Sequence, residues 1–208
     1  GVRGEALLVA FAAQGPGMQQ WVAPCAAARA AGVALDTLYV ADPSNSYYLQ
    51  DPTGAWAGLA YYGALVRAHA AHYAAILLVG SSMGATAALQ HAHLGSRTLA
   101  FGPRVDLRAT HGSFVPPDAC AACARAIESA LGAAGGTVAV HVGEANLEDM
   151  GQAALLRSAP CVRLVTHDTF HHNVPMHLER EGVLVHLFKA ELLALLNPRP
   201  PPHAMPTG

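Results

Sequence analysis

The chain has 208 residues and a mass of 21.5 kDa, which is long enough for one domain to bury a core without disulfides or bound metal. Apolar residues make up 52% of the sequence and charged residues 12%, a balance that excludes a disordered chain. The net charge is -2 and the arginines are scattered singly, so nothing in the charge distribution favours nucleic acid or an anionic membrane surface as a partner.

The same composition bears on where the protein works. No run of about 18 or more apolar residues is present, so we expect no membrane span. The first residues run directly into a strand-like segment instead of a signal-peptide pattern, and the four cysteines lack the spacing of a disulfide framework. We therefore expect a cytoplasmic protein, and the missing initiator methionine leaves a removed targeting segment open. The sequence does not indicate an oligomeric state.

Short apolar runs alternate with helix-like segments along the chain. The predicted strands span residues 6–12, 37–41, 75–79, 98–101, 137–142 and 161–166. The predicted helices span residues 22–31, 56–73, 82–93, 118–131, 148–158 and 174–196. Asp118 is the expected N-cap of the fourth helix. This order predicts an α/β fold, with a doubly wound, mostly parallel sheet of about six strands, helices on both faces, and a minimal cap or none.

Residues 1–197 are predicted to form this one domain, and residues 198–208 to form an extended or disordered proline-rich tail. Two long loops, 42–54 and 102–117, are expected to shape a binding site. In a sheet of this kind ligands bind at the carboxyl ends of the strands, and the candidate functional residues all follow predicted strands.

A serine flanked by glycines follows the third predicted strand. Residues 80–84 read Gly-Ser-Ser-Met-Gly, and the Gly-x-Ser-x-Gly spacing between a strand and a helix is typical of a nucleophile elbow. The nucleophile of such an elbow lies in a strained turn, where side chains two residues before and after it would collide with backbone. Ser82 has glycines at both positions, whereas Ser81 has Val79 and Met83. Ser82 is therefore the predicted nucleophile, and a tight turn with incidental serines is the alternative.

Two backbone amides are candidates for binding a carbonyl oxygen beside Ser82. The N–H of Met83 opens the predicted helix, where the helix dipole favours developing negative charge. The second donor is expected in the loop after the first strand, from Ala13 or Gln14.

When a serine occupies such an elbow, an acid and then a histidine follow it along the chain. His172 lies between the last predicted strand and the last predicted helix and is the expected base, with His171 as the alternative. Position decides this choice, because the chain has twelve histidines. Asp149, where the loop after the fifth strand enters the next helix, is the expected acid. Glu144 in the same loop and Asp106 after the previous strand are the alternatives.

Three other motifs do not favour a metal or a cofactor. Cys120 and Cys123 have CxxC spacing, but no second pair completes a zinc site, and their alanine-rich helical setting favours buried small residues. Histidine clusters such as residues 167–177 lack a matched third ligand in one place. Residues 15–17, Gly-Pro-Gly, lack the spacing of a nucleotide-binding loop. We therefore expect no metal and no cofactor.

Residues 80–84 and the Phe-His-His-Asn-Val segment at 170–174 resemble the elbow and histidine loop of small, single-domain serine hydrolases of the α/β-hydrolase superfamily. The resemblance covers most of the chain. Residues 99–103 (LAFGP), 41–43 (ADP) and 47–48 (YY) also resemble a bacterial subgroup with GSSMGG-like elbows, some members of which accompany polysaccharide or glycosyl-transfer systems.

The resemblance implies that Ser82 is the nucleophile, His172 the base and Asp149 the acid, with the Met83 amide in an oxyanion hole. The sequence departs from the family pattern in two places. Ala85 replaces a frequent glycine. Asn146 occupies the place where many relatives in the superfamily carry their acid.

These residues predict hydrolysis of a small-molecule ester through an acyl-serine intermediate, with a carboxylester, a thioester or an acylated sugar as the substrate. Two alternatives remain open at this stage. The departure in the acid loop fits a catalytically inactive binding or scaffold protein with the same fold. The same triad also fits an acyltransferase, if the pocket excludes water.

Overall fold

The computed structural model describes residues 4–15, 19–109 and 114–197, and within them six strands form one parallel sheet. The strands are β1 (Ala6–Phe11), β2 (Leu35–Val40), β3 (Ala75–Ser81), β4 (Arg97–Phe101), β5 (Thr137–Gly143) and β6 (Val162–His167). The α-helices are α1 (Val22–Ala30), α2 (Gly58–Ala70), α3 (Met83–Gln90), α4 (Pro117–Gly132), α5 (Leu147–Ala154), α6 (Val174–Arg180) and α7 (Leu184–Leu196).

The order of the strands across the sheet is β2-β1-β3-β4-β5-β6, and every neighbouring pair is parallel. The chain starts at β1, moves outward to β2 and returns to the other side of β1 at β3. The direction of winding therefore reverses between β1 and β3. A crevice forms at the carboxyl ends of the strands at such a reversal, and it is the usual ligand site of an open α/β sheet.

Helices cover both faces of the sheet, because alternate residues of a strand point to opposite sides. All six residues of β1 are buried. Leu8 and Ala10 pack into the core under α1, α6 and α7, whereas Val9 and Phe11 pack against α2 and α3. Helices α4 and α5 share the second face and contact residues of β4 and β5. The predicted fold class, a doubly wound parallel sheet, is confirmed.

The prediction of one continuous helix over residues 174–196 is wrong. The structure contains two helices, α6 and α7, joined by a turn in which Gly182 has a φ of 70°. The N–H of Gly182 donates to the Glu179 carbonyl and the N–H of Val183 to that of Leu178, a glycine-dependent helix ending. The apolar spacing continues across the break because both helices bury leucines against the same face of the sheet.

The N-cap prediction for α4 is also wrong. The cap residue is Pro116, the helix begins at Pro117, and Asp118 lies inside the first turn. Proline is favoured at the first helical position, where its missing N–H leaves no hydrogen bond unmade. Asp118 keeps the favourable interaction of a carboxylate with the helix N-terminus.

Two expectations from the sequence concern other parts of the chain. The predicted proline-rich tail, residues 198–208, lies outside the described residues. Among the helices that the structure describes, none combines the length and the apolar character needed to cross a membrane.

A buried histidine couples the stability of this fold to pH. The ring of His141 on β5 is 1% exposed, stacks on Phe101 with centroids 4.6 Å apart, and shares a hydrogen bond of 2.9 Å with His167. Burial, together with the charges of His167 and Arg163, lowers the pKa of His141 to about 3. Since the unfolded chain takes up this proton near pH 6.5 and the folded chain does not, acid favours unfolding.

We therefore expect the free energy of unfolding to fall between pH 7 and pH 5, with His141 contributing roughly 2 kcal/mol of the loss. Replacing His141 with glutamine removes that titration and makes the pH dependence of denaturant unfolding correspondingly shallower. His186→Gln changes an exposed histidine on α7 and serves as the control, with an unchanged pH dependence. Equal slopes for the wild type and His141→Gln would contradict the assignment.

Candidate active site

Ser82 lies at a sharp bend between β3 and α3. The strand ends at Ser81, the helix begins at Met83, and Ser82 between them has φ 53° and ψ -119°. Such a conformation is strained for a residue with a side chain, and strain of this kind concentrates at functional sites. The bend is fixed by a hydrogen bond of 2.8 Å from the N–H of Ser82 to the carbonyl of Phe101, at the end of β4.

The two glycines of the elbow are required by close backbone contacts. A Cβ atom at Gly80 would collide with the carbonyl of Gly84, and one at Gly84 would collide with the carbonyl of Phe11 at the end of β1. This confirms the predicted reason for the Gly-x-Ser-x-Gly spacing. Ser81, by contrast, ends a buried strand and is 4% exposed.

His172 is adjacent to Ser82. Its Nε2 atom is 2.8 Å from the Ser82 Oγ, and its side chain is one-third exposed. The next residue, Asn173, caps α6 by accepting a hydrogen bond of 3.2 Å from the N–H of Met176. Buried Val174 then anchors the helix in the core. The start of α6 thus holds the histidine loop against the elbow.

Asp149 lies on the other side of the His172 ring. Both carboxylate oxygens are 2.9 Å from the Nδ1 of His172, and the side chain of Asp149 is fully buried. An ionised carboxylate only accepts hydrogen bonds, so Nδ1 carries the proton. The Nε2 atom is then free to accept the hydroxyl proton of Ser82.

Asn146, at which the acid loop departs from the pattern that the sequence resembles, has a structural role. Its side chain caps α5 by accepting a hydrogen bond of 3.0 Å from the N–H of Asp149. The amide nitrogen of the same side chain donates to the carbonyl of Phe170, 3.2 Å away. Asn146 therefore joins the start of α5 to the histidine loop and directs the first turn of that helix, which carries Asp149, toward the ring.

The alternative candidates are not brought to Ser82. His171 stacks on Phe170, with ring centroids 4.2 Å apart. Glu144 is exposed to solvent at the end of β5. Asp106 is paired with Arg108 at 2.9 Å and 3.0 Å.

The amides predicted to bind a carbonyl oxygen lie where β1 and β3 end. Because Phe11 pairs with Gly80 in the sheet, the residues after β1 leave the sheet beside the elbow. Met83 is the first residue of α3, so its N–H has no acceptor within the helix. Among the described residues, no acceptor is present for the N–H of Ala13 or Gln14.

The loop between β2 and α2 is held by one buried carboxylate. Asp42 is 5% exposed and accepts five hydrogen bonds, from the backbone and hydroxyl of Ser44, the backbone and hydroxyl of Ser46, and the backbone of Tyr48. These bonds stabilise a backbone with positive φ at Asn45, Tyr47 and Tyr48. The long loop predicted to shape the site is thus firmly structured.

Tyr48 links this loop to the end of β1. Its ring is fully buried, and its hydroxyl lies 3.0 Å from the carbonyl of Ala12 and 2.9 Å from that of Val40. The N–H of Ala12 also donates to Val40, at 2.9 Å. Both backbone groups of Ala12, the residue before Ala13, are therefore held by hydrogen bonds.

Sequence reasoning missed Arg104, which contacts Asp149. One guanidinium nitrogen is 2.7 Å from the Asp149 Oδ1 and 3.3 Å from a carboxylate oxygen of Glu148, and the Arg104 side chain is 10% exposed. One feature of the sequence could have pointed to Arg104. It lies in the loop after β4, at the carboxyl end of the sheet, where the other candidate residues also lie. A single arginine in a chain with scattered arginines gave no reason to select it.

No protein-family model matches the sequence, and no curated protein is significantly similar to it. Comparison with solved structures finds the fold instead. An esterase from Pyrococcus furiosus superposes with a TM-score of 0.59 at 12% identity, covering 93% of this chain and 84% of the esterase. Est1E from Butyrivibrio proteoclasticus gives 0.63 at 13% identity, with 92% of this chain and 89% of Est1E covered.

A third similar structure is FphF, a fluorophosphonate-binding serine hydrolase from Staphylococcus aureus, with a TM-score of 0.61 at 9% identity, covering 91% of this chain and 85% of FphF. Identities this low establish the fold alone. The sheet topology and these structures together show that the chain has the fold of the α/β-hydrolase superfamily, as the sequence resemblance implied.

Substitution by alanine is expected to change the stability of the protein in opposite directions at Gly84 in the elbow and at Gly151 on α5. Gly84→Ala places a methyl group against the carbonyl of Phe11, so we expect a loss of roughly 3 kcal/mol or more in the free energy of unfolding. Gly151→Ala is the control, because the added Cβ on α5 meets no atom within 4 Å and stabilises the helix by up to about 1 kcal/mol. Urea denaturation measures both, and a Gly84→Ala protein of wild-type stability would contradict the described turn.

Proposed function

We propose that the protein is a serine hydrolase that cleaves an ester bond through an acyl-Ser82 intermediate. The observation that carries this proposal is the line of hydrogen bonds from the Ser82 hydroxyl through the His172 ring to the buried Asp149 carboxylate. The names of two structurally similar proteins, an esterase and a fluorophosphonate-binding serine hydrolase, support the same class of reaction. Carboxylesters, thioesters and acylated sugars are the candidate substrates.

In the first half of the reaction, the Ser82 oxygen attacks the ester carbonyl carbon while its proton moves to the Nε2 of His172. The positive charge that forms on the ring is stabilised by Asp149, which also fixes the tautomer. The tetrahedral intermediate collapses when the bond to the alcohol breaks. His172 returns the proton to the departing alcohol oxygen, leaving the acyl group on Ser82.

In the second half, a water molecule loses a proton to His172 and attacks the acyl carbon. The bond to Ser82 then breaks, the serine oxygen regains the proton, and the carboxylic acid leaves. Both tetrahedral intermediates carry a negative oxygen. We assign its stabilisation to the N–H of Met83 at the start of α3 and to that of Ala13 or Gln14.

The reason for considering an inactive scaffold was the asparagine in the acid loop. Asn146 serves as the N-cap of α5, and Asp149, one helical turn further on, reaches His172 instead. The departure from the family pattern therefore removes no hydrogen bond from the proposed triad. This geometry favours an active enzyme over a scaffold.

The adjacent serines give a matched test of the nucleophile. A fluorophosphonate probe is expected to label the wild-type protein and Ser81→Ala, but not Ser82→Ala. Hydrolysis of p-nitrophenyl acetate is expected to fall on the order of 10³-fold or more in Ser82→Ala and to stay within a few-fold of wild type in Ser81→Ala. A wild-type protein that is folded, unlabelled and inactive on this ester would refute the hydrolase and favour the scaffold.

The reaction with p-nitrophenyl acetate also distinguishes hydrolysis from acyl transfer. With an added alcohol acceptor, a hydrolase releases mainly free carboxylic acid, whereas an acyltransferase forms mainly the new ester. Product analysis by mass spectrometry distinguishes the two. A majority of transferred product would replace our proposal with acyl transfer through the same Ser82 intermediate.

The acid is tested by comparing three carboxylates. Asp149→Asn exchanges the acceptor at Nδ1 for a group that can also donate, which favours the wrong tautomer, so kcat/KM is expected to fall on the order of 10³- to 10⁴-fold. Glu144→Gln and Asp106→Asn change carboxylates that do not contact His172 and are expected to change kcat/KM by only about two-fold. A larger loss in either control than in Asp149→Asn would reassign the acid.

A further inference from the structure

Arg104 contacts the proposed acid but not the proposed nucleophile. We propose that Arg104 is a positioning residue: its guanidinium compensates the charge of the buried Asp149 carboxylate, orients it toward His172, and weakens the attraction of that carboxylate for a proton on the ring. The catalytic importance of this role rests on the proposed function. The electrostatic effect itself is a property of the resting protein.

The contacts of Asp149 carry the inference. Its Oδ1 accepts from both the Arg104 guanidinium, at 2.7 Å, and the Nδ1 of His172, at 2.9 Å. Its side chain is fully buried and that of Arg104 is 10% exposed, so the ion pair is largely removed from water. A buried carboxylate is costly unless a charge or several hydrogen bonds compensate it. Arg104 supplies a permanent positive charge, which a neutral histidine does not.

Arg104 is also held rigidly from two sides. Its backbone N–H donates to the Thr86 hydroxyl oxygen at 3.0 Å, and the same hydroxyl is 2.9 Å from the Arg104 carbonyl. The next two backbone N–H groups, of Val105 and Asp106, donate to the side-chain oxygen of Gln152 at 2.7 Å and 2.8 Å. The loop after β4 is thereby attached to α3, which starts at the elbow, and to α5, which carries Asp149.

The charge of Arg104 has a predictable effect on the neighbouring base. A carboxylate alone beside a histidine stabilises the imidazolium form and raises the pKa of the ring. A guanidinium on the same carboxylate opposes that effect. Arg104 therefore reduces the stabilisation that Asp149 gives to the imidazolium form of His172, the form that cannot accept the Ser82 proton.

The other titratable groups around Arg104, β5, β6 and the histidine loop come from several elements. Burial raises the pKa of Tyr47, in the loop after β2, and lowers the pKa of His141 on β5 and of His167 on β6. Glu148 on α5 is half exposed and shares the Arg104 guanidinium. The histidine loop and α6 contribute Asp168, His171 and His177. Arg104 is the buried cation that contacts the acid directly.

The decisive measurement is the pKa of His172, followed by NMR of the imidazole protons, with His172→Gln used to assign the signal. Arg104→Gln keeps a hydrogen-bond donor but removes the charge, and is expected to raise the pKa of His172 by about 1. Arg104→Lys restores the charge and is expected to return the pKa to within about 0.5 of wild type.

The matched control is Arg108→Gln. It removes an arginine from an arginine–aspartate pair on the same loop, but this pair is exposed and does not touch His172. The pKa of His172 is expected to stay at the wild-type value in this variant. A folded Arg104→Gln protein with an unchanged pKa of His172 overturns the proposal.

Kinetics separate positioning from a purely structural role. In Arg104→Gln, the acid limb of the kcat/KM profile is expected to move to higher pH together with the pKa of His172. A structural role alone lowers kcat/KM at every pH and leaves the limb in place, and that result also overturns the proposal. If the wild type shows neither probe labelling nor ester hydrolysis, the proposed function fails, while the NMR comparison still decides the role of Arg104.

If Arg104→Gln does not fold, Glu148→Gln provides a second test, because Glu148 is the half-exposed carboxylate that shares the Arg104 guanidinium with Asp149. Removing the second carboxylate on the guanidinium leaves its charge less compensated, so the pKa of His172 is expected to fall. No change in that pKa would contradict the proposed influence of Arg104.

Discussion

The site depends on one buried carboxylate. Asp149 has no exposed surface, so its charge must be met by protein groups, and the nearest are Arg104 and His172. Those partners come from the loop after β4 and from the loop before α6, whereas Asp149 itself lies on α5. Satisfying one carboxylate therefore brings together three segments that are distant in sequence. The same His172 ring lies 2.8 Å from the Ser82 hydroxyl through its Nε2 atom.

A second buried carboxylate organises the chain at the ends of β1 and β2. Asp42 fixes the loop after β2, and Tyr48 in that loop bonds the carbonyls at the ends of β1 and β2. The elbow packs against the same end of β1, because Gly84 lies against the carbonyl of Phe11. The strained backbone at Ser82 is thus held between well-bonded segments, which is how a fold maintains conformations that cost energy.

Local patterns in the sequence predicted the features that depend on local physics. Buried parallel strands such as β1 are apolar runs in the sequence. Gly80 is required by a contact with Gly84, four residues away, whereas Gly84 is required by a contact with Phe11 at the distant end of β1. The break at Gly182 was missed because the apolar spacing continues across it and conceals a one-residue change of conformation. The contact between Arg104 and Asp149 could not be predicted, because the two residues are 45 positions apart in the chain.

The choice among three acids shows where sequence spacing stops being sufficient. Glu144, Asp106 and Asp149 all follow strands that end at the same edge of the sheet, so position alone admits each of them. Their surroundings differ: Glu144 is solvated, Asp106 is paired with an exposed arginine, and Asp149 is enclosed. A carboxylate acts most strongly on an imidazole where water does not screen it. Asn146 caps the helical turn that carries Asp149, and Arg104 contacts its carboxylate, so the proposed acid is held by its own helix and by the loop after β4.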